Sequence, residues 1–303
     1  MKIYKGVSLD INNQPCVLAL GNFDGVHKGH VSLLNAAKKY SSEHGLRFGV
    51  YTFEMHPEEN VGLLTLNAEK CARMELCGAD FVIFDDFDSV KNYSPKEFVT
   101  YITEKIGAVC AVCGENFRFG KGASGSSGDL KRLMQEADLE ARVIPTLYEG
   151  GLSVSSTRIR NELENGNAQA AAGLLGYPFG FEAEIIHGAS LGHTIGFPTI
   201  NQELPKNKLC PKFGVYASCV EVCGIKRRGV TNIGIKPTVS DEKQVLSETY
   251  IIDFDENVYG KTARVSLHKM LRGEKKFSGI EELTQNISKN VFETKKYFEG
   301  NKR

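Results

Sequence analysis

Apolar residues cluster in short runs at 16–20, 48–53, 81–84 and 109–113, rich in Val, Phe and Ile and flanked by Gly or Asp, which predicts strands. Segments 28–44, 67–77, 94–106 and 129–136 carry helical spacing instead. Strand alternating with helix predicts a doubly wound α/β domain, a parallel sheet with helices on its faces. Such a sheet takes ligands beyond the carboxyl ends of its strands. After about residue 181 the texture changes. Runs at 182–187, 214–222, 227–233, 248–254 and 263–271 read as strands, punctuated by Gly, Pro, Asn and Asp without long helices between them. That spacing predicts an antiparallel barrel or sandwich. A helix over about 280–298 closes the pattern, and the expected domains are 1–180 and 181–303.

Composition narrows the field. The 303 residues hold 37 basic and 37 acidic side chains, a formal net charge of zero, which argues against bulk nucleic-acid binding or a polybasic membrane surface. Acidic side chains outnumber basic ones before residue 182 and the reverse holds after it, which supports the boundary. The longest purely apolar run, 108–113, is far short of the ~20 residues of a membrane span, and no signal peptide is visible. The eight cysteines do not read as a disulfide framework; they read as reduced thiols, and a cytoplasmic location is expected. Cys110 and Cys113 form a CxxC inside the run AVCAVC, which favours buried strand thiols over zinc or redox chemistry.

The first constellation follows the first of these strands. GNFDGVHKGH, residues 21–30, leads straight into the helical pattern from Lys28, so His27 and His30 fall on one face of a helix's first turn. Gly29 lets backbone approach a ligand closely. A helix start offers free N–H groups and a positive dipole, which suit phosphate, and two imidazoles can donate hydrogen bonds to a phosphoryl group gaining charge. Metal ligation by the two histidines is the alternative. A second segment, SSTRIR at 155–160, opens another helix. Its hydroxyls suit capping, and Arg158 and Arg160 near the positive end suggest a compensating anion; an ordinary capped surface helix is the alternative. Residues 120–125 match GxGxxG but continue into more Ser and Gly, a flexible loop rather than the strand–turn–helix of a dinucleotide site.

The second constellation lies at 186–201, where Gly188, Gly192 and Gly196 recur in a loop whose backbone could wrap phosphates. Pro198 precedes Thr199, and in an extended segment Thr199 and Asn201 point the same way. A hydroxyl and an amide oxygen are hard donors suited to Mg²⁺ shared with nucleotide phosphates; a glycine-rich hairpin capped by Thr and Asn is the alternative. Glu248 sits on a strand and by alternation shares a face with Tyr250 and Ile252, so it is salt-bridged, functional or an exposed edge carboxylate. Arg272 follows the last strand and is placed to reach phosphate.

GNFDGVHKGH, TFEMHP at 52–57, GENFRFG at 114–120 and SSTRIR, in this order, resemble the N-terminal half of the bacterial bifunctional riboflavin kinase/FAD synthetase family. GFPTIN at 196–201, with the later runs around Glu248 and Arg272, resembles the riboflavin kinase module of the same family, and the likeness covers about 14–298. The resemblance implies a nucleotidylyltransferase domain followed by a six-stranded Greek-key barrel. The first would transfer AMP from ATP to FMN, giving FAD and pyrophosphate; the second would phosphorylate riboflavin. By that likeness His27 and His30 stabilise the triphosphate, and Asn22, Asp24 and Gly29 shape its pocket. Ser156, Thr157, Arg158 and Arg160 hold ATP phosphates, and Asn116 and Phe117 lie by FMN. Thr199 and Asn201 hold Mg-ATP, Glu248 is the catalytic base, and Arg272 contacts flavin or phosphate. The implied partners are ATP, riboflavin, FMN and FAD, without nucleic acid or membrane and compatible with self-association. Ala189, Ser190, His193 and Lys236 depart from the usual kinase pattern and bear on ATP affinity. Two other readings stand beside this one: a nucleotidylyltransferase of another substrate with an inactive barrel, and a non-catalytic flavin- or RNA-binding barrel fused to an α/β domain.

Overall fold

The computed structural model describes residues 1–6, 14–54, 61–188, 192, 195–236 and 244–300. The chain forms two compact units, Met1–Ser156 and Thr157–Arg303.

The first unit is built on a six-stranded, wholly parallel sheet. Its order is Lys2–Lys5, Phe81–Asp85, Arg47–Phe53, Cys16–Leu20, Ala108–Gly114, Glu140–Ile144. Cys16–Leu20 and Phe81–Asp85 are buried along their whole length, as continuous apolar strands covered on both faces must be. Helices Lys28–His44 and Asn67–Leu76 bury Leu34, Ala37 and Met74 on one face, against Val17, Phe48 and Val82. Pro95–Thr100 and Ser127–Glu136 bury Phe98, Leu130 and Met134 on the other, against Leu18 and Ile83. The helix expected over 94–106 starts with a Ser94/Glu97 capping box and then widens into a π turn, Tyr101–Lys105.

Strands from Cys16–Leu20 to Phe81–Asp85 are laid down in one direction, whereas Ala108–Gly114 returns to the other side of Cys16–Leu20. The carboxyl ends of Cys16–Leu20 and Ala108–Gly114 therefore flank the topological switch point, where a crevice opens. The loops leaving those two ends are GNFDG and GENF.

The two edge strands, Lys2–Lys5 and Glu140–Ile144, do not stand out in the sequence. The first is four residues long and mostly exposed; the second mixes charged and apolar positions. Residues 118–126 form a small antiparallel hairpin, Arg118–Phe119 with Gly125–Ser126, instead of the expected loop, and Ser126 caps the helix that follows. The hairpin stands outside the parallel sheet, so the GxGxxG match lacks its strand. Cys110 and Cys113 lie in the cores on opposite faces of the sheet, so they cannot share a metal or a disulfide, and burial pushes each thiol up to about 12.

The second unit is an antiparallel sheet in the order Gly180–Glu184, Thr262–Gly273, Gly214–Val222, Ile225–Lys236, Gln244–Ile251, Thr199–Glu203. Three successive strands lie side by side, with Thr262–Gly273 returning beside the first of them, which is the Greek-key arrangement. The open edges meet where Ile186 N donates to Asn201 O at 2.8 Å. Inside this seam the buried Gln202 amide donates to Ala183 O and Ala263 O at 2.7 and 2.8 Å. Helix Ile280–Gly300 packs on the outside, with His268 against Phe298 and the Arg228 guanidinium over the same ring. Ser156–Glu164 and Ala168–Leu175 form the helices before the barrel. The division into compact units falls earlier than the change of texture near residue 180, because these helices pack with the barrel. Lys212 N donates to Leu163 O, Leu267 N to Phe179 O, and Gly166 lies against Met270. No helix among the described residues is long and apolar enough to cross a membrane.

Candidate active sites

At the switch point the loop between Leu20 and Lys28 is held under strain. Phe23 and Val26 have φ of 51° and 33°, values that a β-branched residue such as Val26 rarely adopts. Neighbouring groups hold it there. Asp24, buried, accepts from Leu64 N at 2.9 Å and Thr65 N at 3.1 Å, and Gly25 N donates to Thr65 Oγ1 at 2.9 Å. The Asn22 carbonyl accepts from Thr52 Oγ1 at 2.8 Å and from Lys70 Nζ at 3.1 Å. Ser156 Oγ donates to Asp24 O at 2.8 Å. Asp24 and Ser156 therefore shape this loop through their own hydrogen bonds.

The loop delivers His27 as the N-cap of helix Lys28–His44. Its Nδ1 accepts from His30 N at 3.3 Å, which puts the ring proton on Nε2. The two imidazoles stack, with centroids 3.6 Å apart and planes 15° from parallel. A Cβ at position 29 would lie 3.2 Å from the His27 ring, so Gly29 makes room for the stack. Burial pulls the His27 pKa down to about 4 against the opposing charge of Asp24. His30 is pulled well below its ordinary value by burial first, then by the charges of His27 and Lys70. Both rings are neutral at pH 7. His30 Nδ1 and Asn22 Oδ1 are buried without a hydrogen-bond partner, as expected of polar atoms aimed at a ligand. Asn116 is exposed after strand Ala108–Gly114, and Phe117 stacks on Phe119, centroids 5.6 Å apart. Thr157, Arg158 and Arg160 lie in the first turns of Ser156–Glu164, within the second unit. In TFEMHP, Met55, His56 and Pro57 lie outside the described residues.

In the barrel, register places Asn201 opposite Glu248 and Thr199 opposite Tyr250. Asn232 on the next strand is also opposite Glu248, a polar neighbour that no motif marked. Glu248 is exposed, whereas Asn201 is buried, and Ile252 lies in the core beyond the strand's end rather than beside Glu248 on an apolar face. Phe197 meets Tyr250 edge to face at 5.2 Å. Asn201 Nδ2 reaches Thr199 O at 3.5 Å, which turns Oδ1 into the free acceptor end. Gly188 packs against that amide, so the cradle around Asn201 exists because no Cβ fills it. Gly192 O accepts from Phe197 N at 2.8 Å, Gly196 has φ of 80°, where glycine is favoured, and Pro198 is half-buried. Arg272 lays its guanidinium 5.3 Å from the Phe277 ring centre and keeps a buried, unpaired Nε. Ala189, Ser190 and His193 lie outside the described residues, as does the Lys236 side chain. Among the described residues no cluster of three His, Cys, Asp or Glu could hold a metal.

A stacked imidazole pair at the switch point of a parallel sheet, and a carboxylate across from the Asn201 and Asn232 amides on a Greek-key barrel, fit a two-domain transferase acting on phosphates. Comparison with known proteins identifies which. The FAD synthetase family model matches residues 9–158 and the riboflavin kinase family model residues 175–298. The bifunctional riboflavin kinase/FMN adenylyltransferase of Bacillus subtilis is 36% identical over 294 residues, covering 93% of this chain and 92% of that protein. Its Escherichia coli K12 counterpart is 34% identical, covering 98% of each. A crystal structure described as a macrolide-efflux protein from Streptococcus pneumoniae superposes with a TM-score of 0.87 at 27% identity, covering 97% of this chain and 99% of that one. The chain belongs to the bifunctional riboflavin kinase/FMN adenylyltransferase family.

Proposed function

We propose that this chain makes FMN from riboflavin in its barrel and FAD from FMN in its parallel-sheet unit, each with ATP, and that it works in the cytoplasm. The observation that carries the reading is that one chain holds both arrangements, the stacked neutral imidazoles and the Asn201–Glu248 pair, each on its own unit. The functional boundary is proposed near residue 180, with the helices after residue 156 as a connector between the matched regions.

In adenylyl transfer an FMN phosphate oxygen attacks the α-phosphorus of ATP. The bond to the bridging oxygen breaks, and pyrophosphate leaves. The nucleophile is already an anion, so no base is required. His27 Nε2–H and His30 donate to oxygens that gain charge, in a setting where removing one donor typically costs on the order of 10² to 10³ in rate. A neutral imidazole still carries one ring N–H, so each ring can donate to such an oxygen. Asn22 and the free N–H groups at the helix start would hold phosphate, and Arg158 and Arg160 keep the phosphate role that the family likeness gives them. Asn116 and Phe117 are assigned to FMN, the exposed amide for polar groups and the Phe117–Phe119 stack for the ring.

Riboflavin phosphorylation differs because its nucleophile is a neutral hydroxyl. Glu248 takes that proton as the hydroxyl oxygen bonds the γ-phosphorus and ADP leaves. Thr199 Oγ1 and Asn201 Oδ1 would hold Mg²⁺, which when bound neutralises phosphate charge; the donor chemistry and the glycine-made cradle at Asn201 fit it. Arg272 faces flavin or phosphate. Purified chain incubated with riboflavin, ATP and Mg²⁺, with flavins separated by chromatography, is expected to yield FMN and then FAD. If neither product forms, the assignment fails.

A further inference from the structure

Helix Asn67–Leu76 carries a lysine where a lysine is unfavourable. Lys70 lies within about a turn of the helix's positive end and is only 1% exposed. Burial of an ammonium is costly unless it is paired, yet among the described residues no carboxylate contacts it directly; the nearby Asp24 accepts from Leu64 N and Thr65 N. Lys70 Nζ instead donates to Asn22 O at 3.1 Å and to Phe53 O at 3.3 Å, joining the loop after strand Cys16–Leu20 to the end of the adjacent strand Arg47–Phe53. The Phe84 ring centre lies 5.8 Å from Nζ. Burial lowers its pKa to about 8, with Asp24 opposing, so it is a cation at neutral pH. A buried cation beneath a loop where the His30 ring nitrogen Nδ1 lacks a partner is best accounted for by an anion arriving above it.

We propose that Lys70 is a positioning residue for adenylyl transfer: it pins the Asn22 and Phe53 carbonyls and sets a fixed positive charge under the histidine loop, balancing charge that develops on the triphosphate. The inference rests on the adenylyltransferase assignment above. A plain clamp is the competing role, and Thr52 separates the two, because its hydroxyl donates to the same Asn22 carbonyl without carrying charge.

The test uses the full chain, supplied FMN and ATP, with Lys70→Met and Thr52→Val compared. Lys70→Met is expected to lower kcat for FAD synthesis about 10- to 100-fold while KM for FMN stays within about threefold. Thr52→Val is expected to lower kcat by less than about threefold. Calorimetric FMN binding reports whether the pocket is intact. If Lys70→Met does not fold, Lys70→Gln, which keeps a donor but no charge, takes its place with the same expected loss. Equal losses in the lysine and threonine variants, a rise in KM at unchanged kcat, or wild-type turnover in an uncharged variant overturns the inference. Absence of FAD from the wild-type chain would instead defeat the assignment beneath it.

Discussion

A Cβ added at Gly188 would lie 2.3 Å from Asn201 Nδ2, 2.5 Å from Cγ and 2.7 Å from Oδ1. Gly188 is not in the left-handed region, so alanine fits its backbone and the whole effect of Gly188→Ala falls on the Asn201 amide. That amide cannot retreat with its backbone, which is paired to Glu248 on one side and bridged to Ile186 on the other. It must rotate away from Thr199. Overpacking of this kind costs about 1–3 kcal/mol. Expressed as lost positioning of nucleotide and metal, that is about 5- to 150-fold in kcat/KM for riboflavin phosphorylation. Initial rates of FMN formation at varied ATP, with conversion of supplied FMN to FAD as the internal control, measure it. Kinase turnover within about twofold of wild type would show that the Asn201 orientation does not matter, and the account of the kinase site would be wrong.

His30→Ala is expected to stop FAD formation while FMN accumulates from riboflavin; loss of both products would contradict separate sites. Glu248→Ala should block riboflavin phosphorylation yet leave supplied FMN convertible to FAD, and normal kinase turnover would remove Glu248 as the base. Acid should destabilise the parallel-sheet unit through His27. Its folded pKa of about 4 lies below the unfolded value near 6.5, so the unfolded chain binds the extra proton first. Stability from this group is full above about pH 6.5 and falls as pH drops toward 4, by about 3 kcal/mol. Urea unfolding of wild type and His27→Asn between pH 7 and 4.5 tests this: the variant should lose less, and parallel curves would refute the assignment.

Much of this was readable from periodicity and motif. The alternation of apolar runs with helical segments announces a parallel sheet, and the turn-punctuated second half announces the barrel, because side-chain period follows backbone geometry directly. What escaped is what depends on distant partners. Lys2–Lys5 is too short and exposed to leave a hydrophobic signature, and its place is set by pairing with Phe81–Asp85. Asp24 reads in its motif as shaping the ATP pocket, but that its carboxylate is engaged by backbone some forty residues away shows only in the structure. Lys70 sits in a helical pattern where a charged residue ordinarily marks the solvent face; only the arrangement of three strand ends makes that position interior. Asn232 belongs to no motif and faces Glu248 solely because of strand register.

The strained loop from Asn22 to Val26 has a consequence for turnover. Its shape is fixed by hydrogen bonds to Leu64, Thr65, Thr52, Lys70 and Ser156 that form when the chain folds. The ordering entropy of the loop is therefore charged against folding once, rather than against each incoming nucleotide, and the imidazoles meet every substrate already aligned.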